Sequence, residues 1–381
     1  MSPRAFFEYA GMAFLLLAVF GAGFGVIAIG ATRHFLRRAR PAAKRHPSIS
    51  VLKPLHGAEP ELYENLVSFC AHAYAGPVQI VLGVQDPSDP ALAVALRVKA
   101  DHPDQDIVIV GGGAFCGANR KVGNLINMAA HAVGEVIVIS DSDVRIPAGA
   151  LDQIVATLEE PDVGLIYCLY RGRPTMGGWS QLAAMDVNFR FAASAVVGEA
   201  LGAPICLGPT MALRHDLLRA VGGFEHFANV LADDFELGQA VRATGQRVTC
   251  PPLVIDHLFP ETSAREMLVH ELRWARTIRL VEPAGYIGSV LMHYLALALI
   301  GSALMSFSVG SLVFLTVICA LRLAQAAVMT RMLSVDRRLL WLIPLRDLIS
   351  FGVFIAGLFG EGVEWRGHRL RVSSKGAIAA W

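Results

Sequence analysis

Two aspartates of this chain, Asp141 and Asp143, stand two positions apart directly after an apolar run. The run Val136–Ile139 is entirely β-branched and continues through Ser140, which is typical of a strand buried on both faces of a parallel sheet. Ligands of open α/β sheets bind at the carboxyl ends of such strands. Two carboxylates there could hold a hard divalent cation and, through it, phosphate oxygens. An Asp-rich turn without a ligand is the alternative explanation.

Three further carboxylates could belong to the same site. Asp86 follows the apolar run Val78–Gln85 as Asp141 follows its own, so both would lie at one edge of a parallel sheet. Asp233 and Asp234 open a later helical pattern, where one of them could act as a general base. Capping of that helix is the alternative role for the pair.

Two basic stretches could serve an anionic substrate. Asn119 and Lys121 open a helical pattern, where a lysine and the helix N-terminus could neutralise a diphosphate. A solvated basic turn explains the same residues without a ligand. No G-x-G-x-x-G or phosphate-loop pattern accompanies them, so the sequence does not indicate a dinucleotide fold or a P-loop.

The second basic stretch is the amphipathic segment Thr262–Val281, which precedes an apolar C-terminal region and contains His270, Arg273 and Trp274. A basic amphipathic helix in that place is typical of an interfacial helix. In the alternative interpretation, Arg273 and Trp274 face inward and hold the diphosphate of a donor substrate and an acceptor substrate.

The composition indicates a membrane protein. The chain of 381 residues is 54% hydrophobic and only 17% charged, against about 25% charged in typical soluble domains. A net charge of +1 without a basic–aromatic stripe gives no reason to expect nucleic acid as a partner. The six cysteines form no C-x-x-C pair, so neither a zinc site nor a disulfide framework is predicted, and a reducing compartment is favoured.

The apolar segments predict the membrane topology. Gly11–Ala31 is wholly apolar and long enough to span a bilayer, and the basic residues that follow it place the chain from residue 33 onward in the cytoplasm. Tyr286–Leu321 contains no Asp, Glu, Lys or Arg and predicts a helical hairpin. In Leu339–Gly360, Pro344 and the charged pair Arg346–Asp347 interrupt the apolar run, so we expect a re-entrant or interfacial segment and a cytoplasmic basic tail.

Three regions are therefore predicted: an N-terminal anchor with a basic linker (1–46), a cytoplasmic catalytic domain with an interfacial helix (47–283) and a C-terminal membrane region (284–381). In the second region, strand and helix patterns alternate as in a largely parallel, helix-covered sheet. The predicted strands are Ile49–Lys53, Val78–Gln85, Ile107–Val110, Val136–Ser140 and Val163–Leu169, the predicted helices Glu59–Ala73, Pro90–His102, Lys121–Ala132 and Ala148–Leu158, and the later elements Pro209–Arg214, Asp216–Val221 and Val248–Asp256.

Taken together, these residues resemble the core of family-2 glycosyltransferases, in the ceramide-glucosyltransferase-like branch. The matches to that pattern are Asp86, Asp141–Ser142–Asp143, Asp234 and His270-x-x-Arg273–Trp274, together with Ser50–Gly57, Val84–Asp86, Gly117-x-Asn119-x-Lys121 and Val363–Gly367. His270 stands where the family has Gln or Arg. Cys168–Pro174 and His270–Arg279 resemble most the bacterial glycosyltransferase of hopanoid biosynthesis.

The resemblance implies a GT-A nucleotide-sugar-binding fold with transmembrane helices at both ends, and an inverting transfer from a UDP-sugar. It implies that Asp86 binds uracil near Lys53 and Pro54, and that Asp141 and Asp143 hold Mg²⁺ or Mn²⁺. It also implies that Asp234 is the base, that Arg273 adds positive charge at the departing UDP and that Trp274 lines the acceptor. The remaining residues that it places in contact with substrate are Asn119, Lys121, Asp233 and His270.

The acceptor implied by the resemblance is a membrane lipid. We expect N-acetylglucosamine transfer to a hopanoid polyol such as bacteriohopanetetrol, at the bacterial inner membrane. Ceramide glucosylation from UDP-glucose and a non-catalytic lipid-binding protein are the alternatives. Trp179–Ala203, rich in apolar and small residues, is expected to guide the lipid hydroxyl towards Asp234 or to be a plain core helix. The oligomeric state is not predicted.

Overall fold

The computed structural model describes residues 2–40, 42–114, 116–202, 206–360, 362–365, 368–372 and 377–380. The helices are α1 (Pro3–Leu36), α2 (Leu62–Cys70), α3 (Ala91–Asp101), α4 (Arg120–Ala129), α5 (Ala150–Leu158), α6 (Gly178–Asp186), α7 (Ala192–Ala200), α8 (His215–Ala220), α9 (Asp233–Ala243), α10 (Ala264–Val281), α11 (Pro283–Gly288), α12 (Tyr294–Leu304), α13 (Val309–Leu333) and α14 (Ile343–Gly357). The strands are β1 (Ile49–Leu55), β2 (Val78–Val84), β3 (Asp106–Gly111), β4 (Val136–Ser140), β5 (Val144–Arg145), β6 (Val163–Tyr167), β7 (Leu169–Pro174), β8 (Thr210–Arg214), β9 (Arg247–Thr249), β10 (Val254–Phe259), β11 (Gly362–Trp365), β12 (His368–Val372) and β13 (Ile378–Ala380).

The larger sheet has seven strands in the order β3-β2-β1-β4-β8-β6-β9. Strands β3, β2, β1 and β4 run parallel, and β8 runs antiparallel to both β4 and β6. Every residue of β1, β2 and β4 is buried, as their continuous apolar runs predict for strands covered on both faces. The α/β alternation predicted from the sequence is confirmed for this half of the domain.

A smaller sheet, β5-β10-β7, stands beside the loop that follows β4. The predicted single element Val248–Asp256 is wrong, because the chain divides there into β9 in the larger sheet and β10 in the smaller one. Pro251 and Pro252 lie between the two strands, and proline cannot donate a ladder hydrogen bond. This division brings β10 alongside the candidate metal-binding aspartates.

Four helical segments are long and apolar enough to cross a bilayer: Pro3–Leu36, Pro283–Leu304, Val309–Leu333 and Leu340–Gly357. Helix α1 packs closely on α12, where a Cβ atom on Gly11 would lie 2.6 Å from Met305 Cγ and one on Gly301 would lie 2.9 Å from the Gly11 carbonyl oxygen. Small residues of this kind let apolar helices approach each other in a membrane.

Pro344 does not interrupt the helix of the fourth segment, although a proline inside an apolar run suggests a break. Pro344 lies in the first turn of α14, where its missing N–H has no helical partner to lose, so it begins the helix instead of breaking it. Two contacts join the chain on either side of the segment to the α/β part: the Leu333 carbonyl at the end of α13 accepts a hydrogen bond from Arg171 of β7, and the Gly360 carbonyl after α14 accepts one from Arg279 of α10. Helix α14 is also only about 22 Å long. These contacts favour the predicted interfacial course of residues 339–360, which stays a prediction.

The carboxyl-terminal strands β11, β12 and β13 form a third sheet that packs against α10 and the loop before α9. The Ile378 backbone N–H donates a hydrogen bond to the Asn229 carbonyl, and the Arg276 guanidinium donates one to the Gly362 carbonyl. Of the predicted closing motif Val363–Gly367, residues 366 and 367 lie outside the described part of the chain.

Candidate active site

Asp141 and Asp143 lie in the loop after β4, and Lys53 on β1 supports the backbone of that loop from the interior. Lys53 is fully buried, and its ammonium donates to the carbonyl oxygens of Asp141 (2.7 Å) and Val144 (3.3 Å) and lies 4.1 Å from the Phe69 ring centroid. Burial lowers the pKa of Lys53 to about 7, against the opposing charges of Asp143 and Asp141. Lys53 therefore supports the backbone of the aspartate loop and does not reach open space, in contrast to its predicted contact with the nucleotide; its neighbour Pro54 is buried as well.

Lys121 joins two of the predicted acidic groups. Its ammonium lies 2.8 Å from an oxygen of Asp141 and 3.5 Å from an oxygen of Asp233. Burial alone would lower the pKa of Lys121, but the two carboxylates outweigh it and raise the pKa. The lysine at the start of α4 is therefore a charged bridge between the β4 loop and α9, and a solvated basic turn does not describe it.

Asn119 sets the start of α4 against the start of α9. Its side-chain oxygen accepts from the Val122 N–H, which caps α4, and its amide donates to the Val230 carbonyl (2.8 Å) and to Asp233 (3.4 Å). Asn119 is fully buried, so it positions Lys121 and Asp233 and is not itself open to a ligand.

Asp234 lies in the first turn of α9, where its carboxylate accepts from the Phe235 N–H at 2.8 Å. Burial, with the neighbouring charge of Asp233, raises the pKa of Asp234 to about 6. A Cβ atom on Gly208 would lie only 2.9 Å from an Asp234 oxygen, so glycine at position 208 leaves room beside the carboxylate. A carboxyl whose pKa lies close to neutrality suits a general base.

His257 on β10 is a site residue that the sequence interpretation missed. Its Nε2 atom lies 3.2 Å from Asp143 Oδ2. Burial alone would lower the pKa of His257, but Asp143 outweighs it and raises the pKa. The Leu258 N–H also donates to the Asp143 carbonyl at 2.8 Å, so β10 and the aspartate loop are joined at two points. A single histidine in an apolar strand gives no signal by itself, because only the β5–β10 pairing brings it to Asp143.

An aromatic wall extends from His257 to the predicted acceptor residues on α10. Trp274 has ring-centroid distances of 6.4 Å to His257, 6.2 Å to Phe259 and 4.4 Å to His270. Tyr170 on β7, also missed, lies edge-on to His257 at 5.1 Å. Burial raises the pKa of Tyr170, and the charges of Asp234 and Asp143 add to that effect.

His270 is held by a third missed residue, Glu261. Their Nδ1 and Oε1 atoms are 2.7 Å apart, and since a carboxylate only accepts hydrogen bonds, Nδ1 carries the proton. Burial lowers the pKa of His270, with Arg273 adding to the effect against Glu261. A neutral His270 presents Nε2 as a hydrogen-bond acceptor. Arg273, which is half-buried, lies one helical turn further along α10.

Asp86 lies apart from these residues. It is exposed at the end of β2, and its carboxylate accepts from both the backbone N–H and the hydroxyl of Ser88, which lowers its pKa. Strands β2 and β4 flank β1, so Asp86 and Asp141 follow strands about 10 Å apart at one sheet edge. The structure thus brings Asp141, Asp143, Lys121, Asp233 and Asp234 together and leaves Asp86 at the rim.

The protein supplies only some of the ligands that a divalent cation would need at this site. Asp141 and Asp143 offer side chains that are 28% and 29% exposed from one loop. In the part of the chain that the structure describes, no three His, Cys, Asp or Glu side chains are gathered as a metal cage. One or two carboxylates completed by substrate phosphates is nevertheless the usual arrangement for Mg²⁺ in enzymes that bind phosphorylated substrates. The two aspartates fit that arrangement.

The predicted guiding segment Trp179–Ala203 is helical as far as Ala200 and contains a π-helical turn, Val187–Phe191. In that turn Asn188 exchanges two 2.8 Å hydrogen bonds with the backbone of Gly172 at the free edge of β7. Phe191 lies 5.4 Å from Tyr170. The segment therefore borders the aromatic side of the site, while Ala203 lies outside the described residues.

The chain is similar over most of its length to known glycosyltransferases. Ceramide glucosyltransferase 1 of Caenorhabditis elegans is 22% identical over 345 residues, which cover 87% of this chain and 73% of the relative. Ceramide glucosyltransferase 3 of the same organism is 22% identical over 372 residues, with 93% and 79% covered. Among solved structures, a mannosyltransferase from Pyrobaculum calidifontis in complex with GDP-Man and Mn²⁺ superimposes with a TM-score of 0.54 at 20% identity, covering 93% of this chain and 99% of that one.

These findings confirm the predicted GT-A fold and the prediction of a glycosyltransferase, and they set aside the alternative of a non-catalytic lipid-binding protein. The sequence profile of glycosyl transferase family 21 matches residues 13–378, which is nearly the whole chain. The chain belongs to glycosyl transferase family 21.

Proposed function

We propose that this chain transfers a sugar from a UDP-sugar to a hydroxyl group of a membrane lipid, with inversion at the anomeric carbon. The observation that carries the proposal is the half-buried carboxyl of Asp234, with its pKa near 6, beside the Asp141–Lys121–Asp233 salt bridges. A base of that pKa is ionised at neutral pH and still basic enough to take a hydroxyl proton as the oxygen attacks.

In the proposed reaction the lipid oxygen forms a bond to the anomeric carbon while the bond from that carbon to UDP breaks. The hydroxyl proton passes to Asp234, and UDP leaves with the bonding electron pair. Lys121 and Arg273 provide fixed positive charge where the leaving diphosphate becomes more negative. Asp86, at the rim, is proposed to hold the uracil.

Asp141 and Asp143 are the proposed ligands of Mg²⁺ or Mn²⁺, and His257 offers a nitrogen beside Asp143. When bound, such an ion neutralises charge on the diphosphate. Lys121 pairs with the carboxylates of both Asp141 and Asp233. It therefore reduces the repulsion between these two carboxylates before the substrate binds.

The acceptor is proposed to enter along the aromatic wall of Tyr170, His257, Phe259 and Trp274, which adjoins the membrane helices. Neutral His270 would accept a hydrogen bond from a second hydroxyl of the lipid headgroup. Of the two residues that the family carries at this position, an Arg could only donate a hydrogen bond, whereas a Gln could accept one as His270 does. A hydrogen-bond acceptor at position 270 is therefore compatible with a lipid headgroup that has a second hydroxyl.

The preferred substrates are UDP-N-acetylglucosamine and a hopanoid polyol such as bacteriohopanetetrol, in the bacterial inner membrane. This choice is supported by the resemblance of Cys168–Pro174 and His270–Arg279. Transfer of glucose to ceramide is the second candidate, and the two Caenorhabditis elegans relatives favour it.

The test is a transfer assay with purified protein, each UDP-sugar and each lipid, read by UDP release and by mass spectrometry of the glycolipid. We expect a hopanoid product that requires added Mg²⁺ or Mn²⁺ and disappears with chelation. A ceramide product would instead favour the second candidate. No UDP release beyond hydrolysis with any polyhydroxylated lipid would contradict the proposal.

A further inference from the structure

A second group of charged side chains lies between the catalytic domain and helices α13 and α14, and the proposed reaction does not use it. We call it the ionic cluster; its members are Asp186, Arg190, Glu271, Arg322, Arg346 and Asp347. Three carboxylates face three guanidinium groups, so the cluster is balanced in charge.

Arg346 on α14 is the centre of the ionic cluster. The residue is 1% exposed, and its Nε atom donates to the Leu182 carbonyl at 2.8 Å. Its Nη2 atom donates to Glu271 on α10 and lies 3.5 Å from Asp186 on α6. One side chain therefore contacts α6 and α10 of the catalytic domain from a membrane-associated helix.

The other contacts hold the neighbours of Arg346 in place. Asp186 accepts from Arg190 at 2.9 and 2.5 Å and from the Ser350 hydroxyl at 2.6 Å. The next residue of α14, Asp347, is bound by Arg322 of α13 through two hydrogen bonds of 2.7 and 2.8 Å. Helix α14 thus forms one buried ion pair with α10 and a second one with α13.

Buried ion pairs are a poor way to gain stability, because apolar residues of similar volume often serve as well. Their directional hydrogen bonds instead fix how two elements meet. Glu271 and His270 are consecutive, so their side chains leave α10 about 100° apart. Glu271 points to α14, while His270 and Trp274, four residues apart, share the face towards His257 and Phe259.

We propose that the Glu271–Arg346 pair is a positioning device that sets the rotation and depth of α10 against the membrane helices, so that Arg273 and Trp274 face the catalytic carboxylates. This inference rests on the proposed function. Glu271 and Arg346 are positioning residues: they act on the reaction only through α10.

The test compares Glu271→Ala with Asp347→Asn, which removes a partner from the second buried ion pair of the same helix. Protein in lipid nanodiscs is assayed for transfer per folded molecule and, without substrates, for hydrogen exchange of residues 264–281. For Glu271→Ala we expect faster exchange in α10 and about a hundredfold lower kcat, since small misplacements of catalytic groups have effects of that size. The KM for the UDP-sugar should stay within about twofold, and Glu271→Asp should restore part of kcat.

Asp347→Asn should lower the thermal stability but leave kcat per folded molecule and α10 exchange close to those of the unchanged protein. The inference is overturned if Glu271→Ala keeps its kcat and its α10 protection, or if Asp347→Asn lowers kcat equally. If the unsubstituted protein transfers no sugar, the proposed function is wrong. The hydrogen exchange of α10 in the two variants then still decides whether the Glu271–Arg346 pair positions this helix.

Discussion

The two charged groups of this protein differ in their balance. In the candidate active site, the four carboxylates of Asp141, Asp143, Asp233 and Asp234 outnumber Lys121 and His257, which pair with them, and Lys53, which donates to the loop backbone from beneath. In the ionic cluster, three carboxylates face three arginines through short hydrogen bonds. An excess of carboxylates over nearby cations raises the free energy of the folded protein. The candidate active site has such an excess and the ionic cluster does not, which distinguishes a site prepared for a ligand from a contact between helices.

The largest effect is expected from Asp234→Asn at the unbalanced group. Loss of the general base should lower kcat by about 10² to 10⁴-fold, while binding of the UDP-sugar persists. Transfer kinetics and donor binding by calorimetry measure the two effects. A variant with undiminished kcat would show that Asp234 is not the base.

At the Arg322–Asp347 pair of the balanced group, which does not contact α10, removal of one partner should reduce stability more than it reduces kcat. Arg322→Met leaves Asp347 as a buried carboxylate without its guanidinium, and we expect a loss of about 3–5 kcal/mol in the free energy of unfolding. Folded yield and thermal unfolding in detergent report it. Arg4→Met, which breaks the exposed Arg4–Glu8 pair, is the matched control and should change neither.

Asp234→Asn should also stabilise the protein at neutral pH, opposite in sign to Arg322→Met. The folded-state pKa of Asp234, about 6, lies above its ordinary value of 3.8, so ionised Asp234 destabilises the fold. That destabilisation develops between pH 4 and 6 and is complete above pH 6. Because the variant lacks it, we expect its free energy of unfolding to increase by about 1–2 kcal/mol at pH 7.5 and not to change at pH 4. Asp86→Asn, at an exposed carboxylate with a lowered pKa, should not gain stability at either pH.

The smallest effect is the pH dependence of the unchanged enzyme. Because Asp234 must be ionised to accept a proton, kcat should fall about tenfold for each pH unit below about 6 and be level above it. Rates measured at saturating substrate from pH 4.5 to 8 test this. A profile that stays level to pH 4.5 would assign the base to a group of ordinary carboxyl pKa.

Much of the candidate active site could be predicted from the sequence because local patterns indicate its residues. The runs before Asp86 and Asp141 are continuous and apolar, so they predict buried parallel strands, and acids at their ends share one edge. Asp234 and Lys121 follow from their places at helix starts. The order of these motifs along the chain then indicates the family.

Other features depended on which distant segments pair. Lys53 looks like a ligand-binding residue in the sequence, yet β1 places its side chain beneath the aspartate loop. His257 and Tyr170 are ordinary strand residues until the smaller sheet brings them to Asp143. Arg346 and Asp347 look like costly charges in an apolar segment until α6, α10 and α13 supply their partners.

The sequence by itself determined the apolar segments, the strands of the parallel half of the sheet and the carboxylates at their ends, because burial and strand propensity act on neighbouring residues. Only the tertiary structure decided which charges are balanced, since that depends on ion pairs between distant residues such as Asp186 and Arg346. Lys121 is shared between Asp141 and Asp233, whereas Arg190 and Arg346 together pair with Asp186 and Glu271. The first arrangement leaves negative charge for a substrate complex, and the second leaves none.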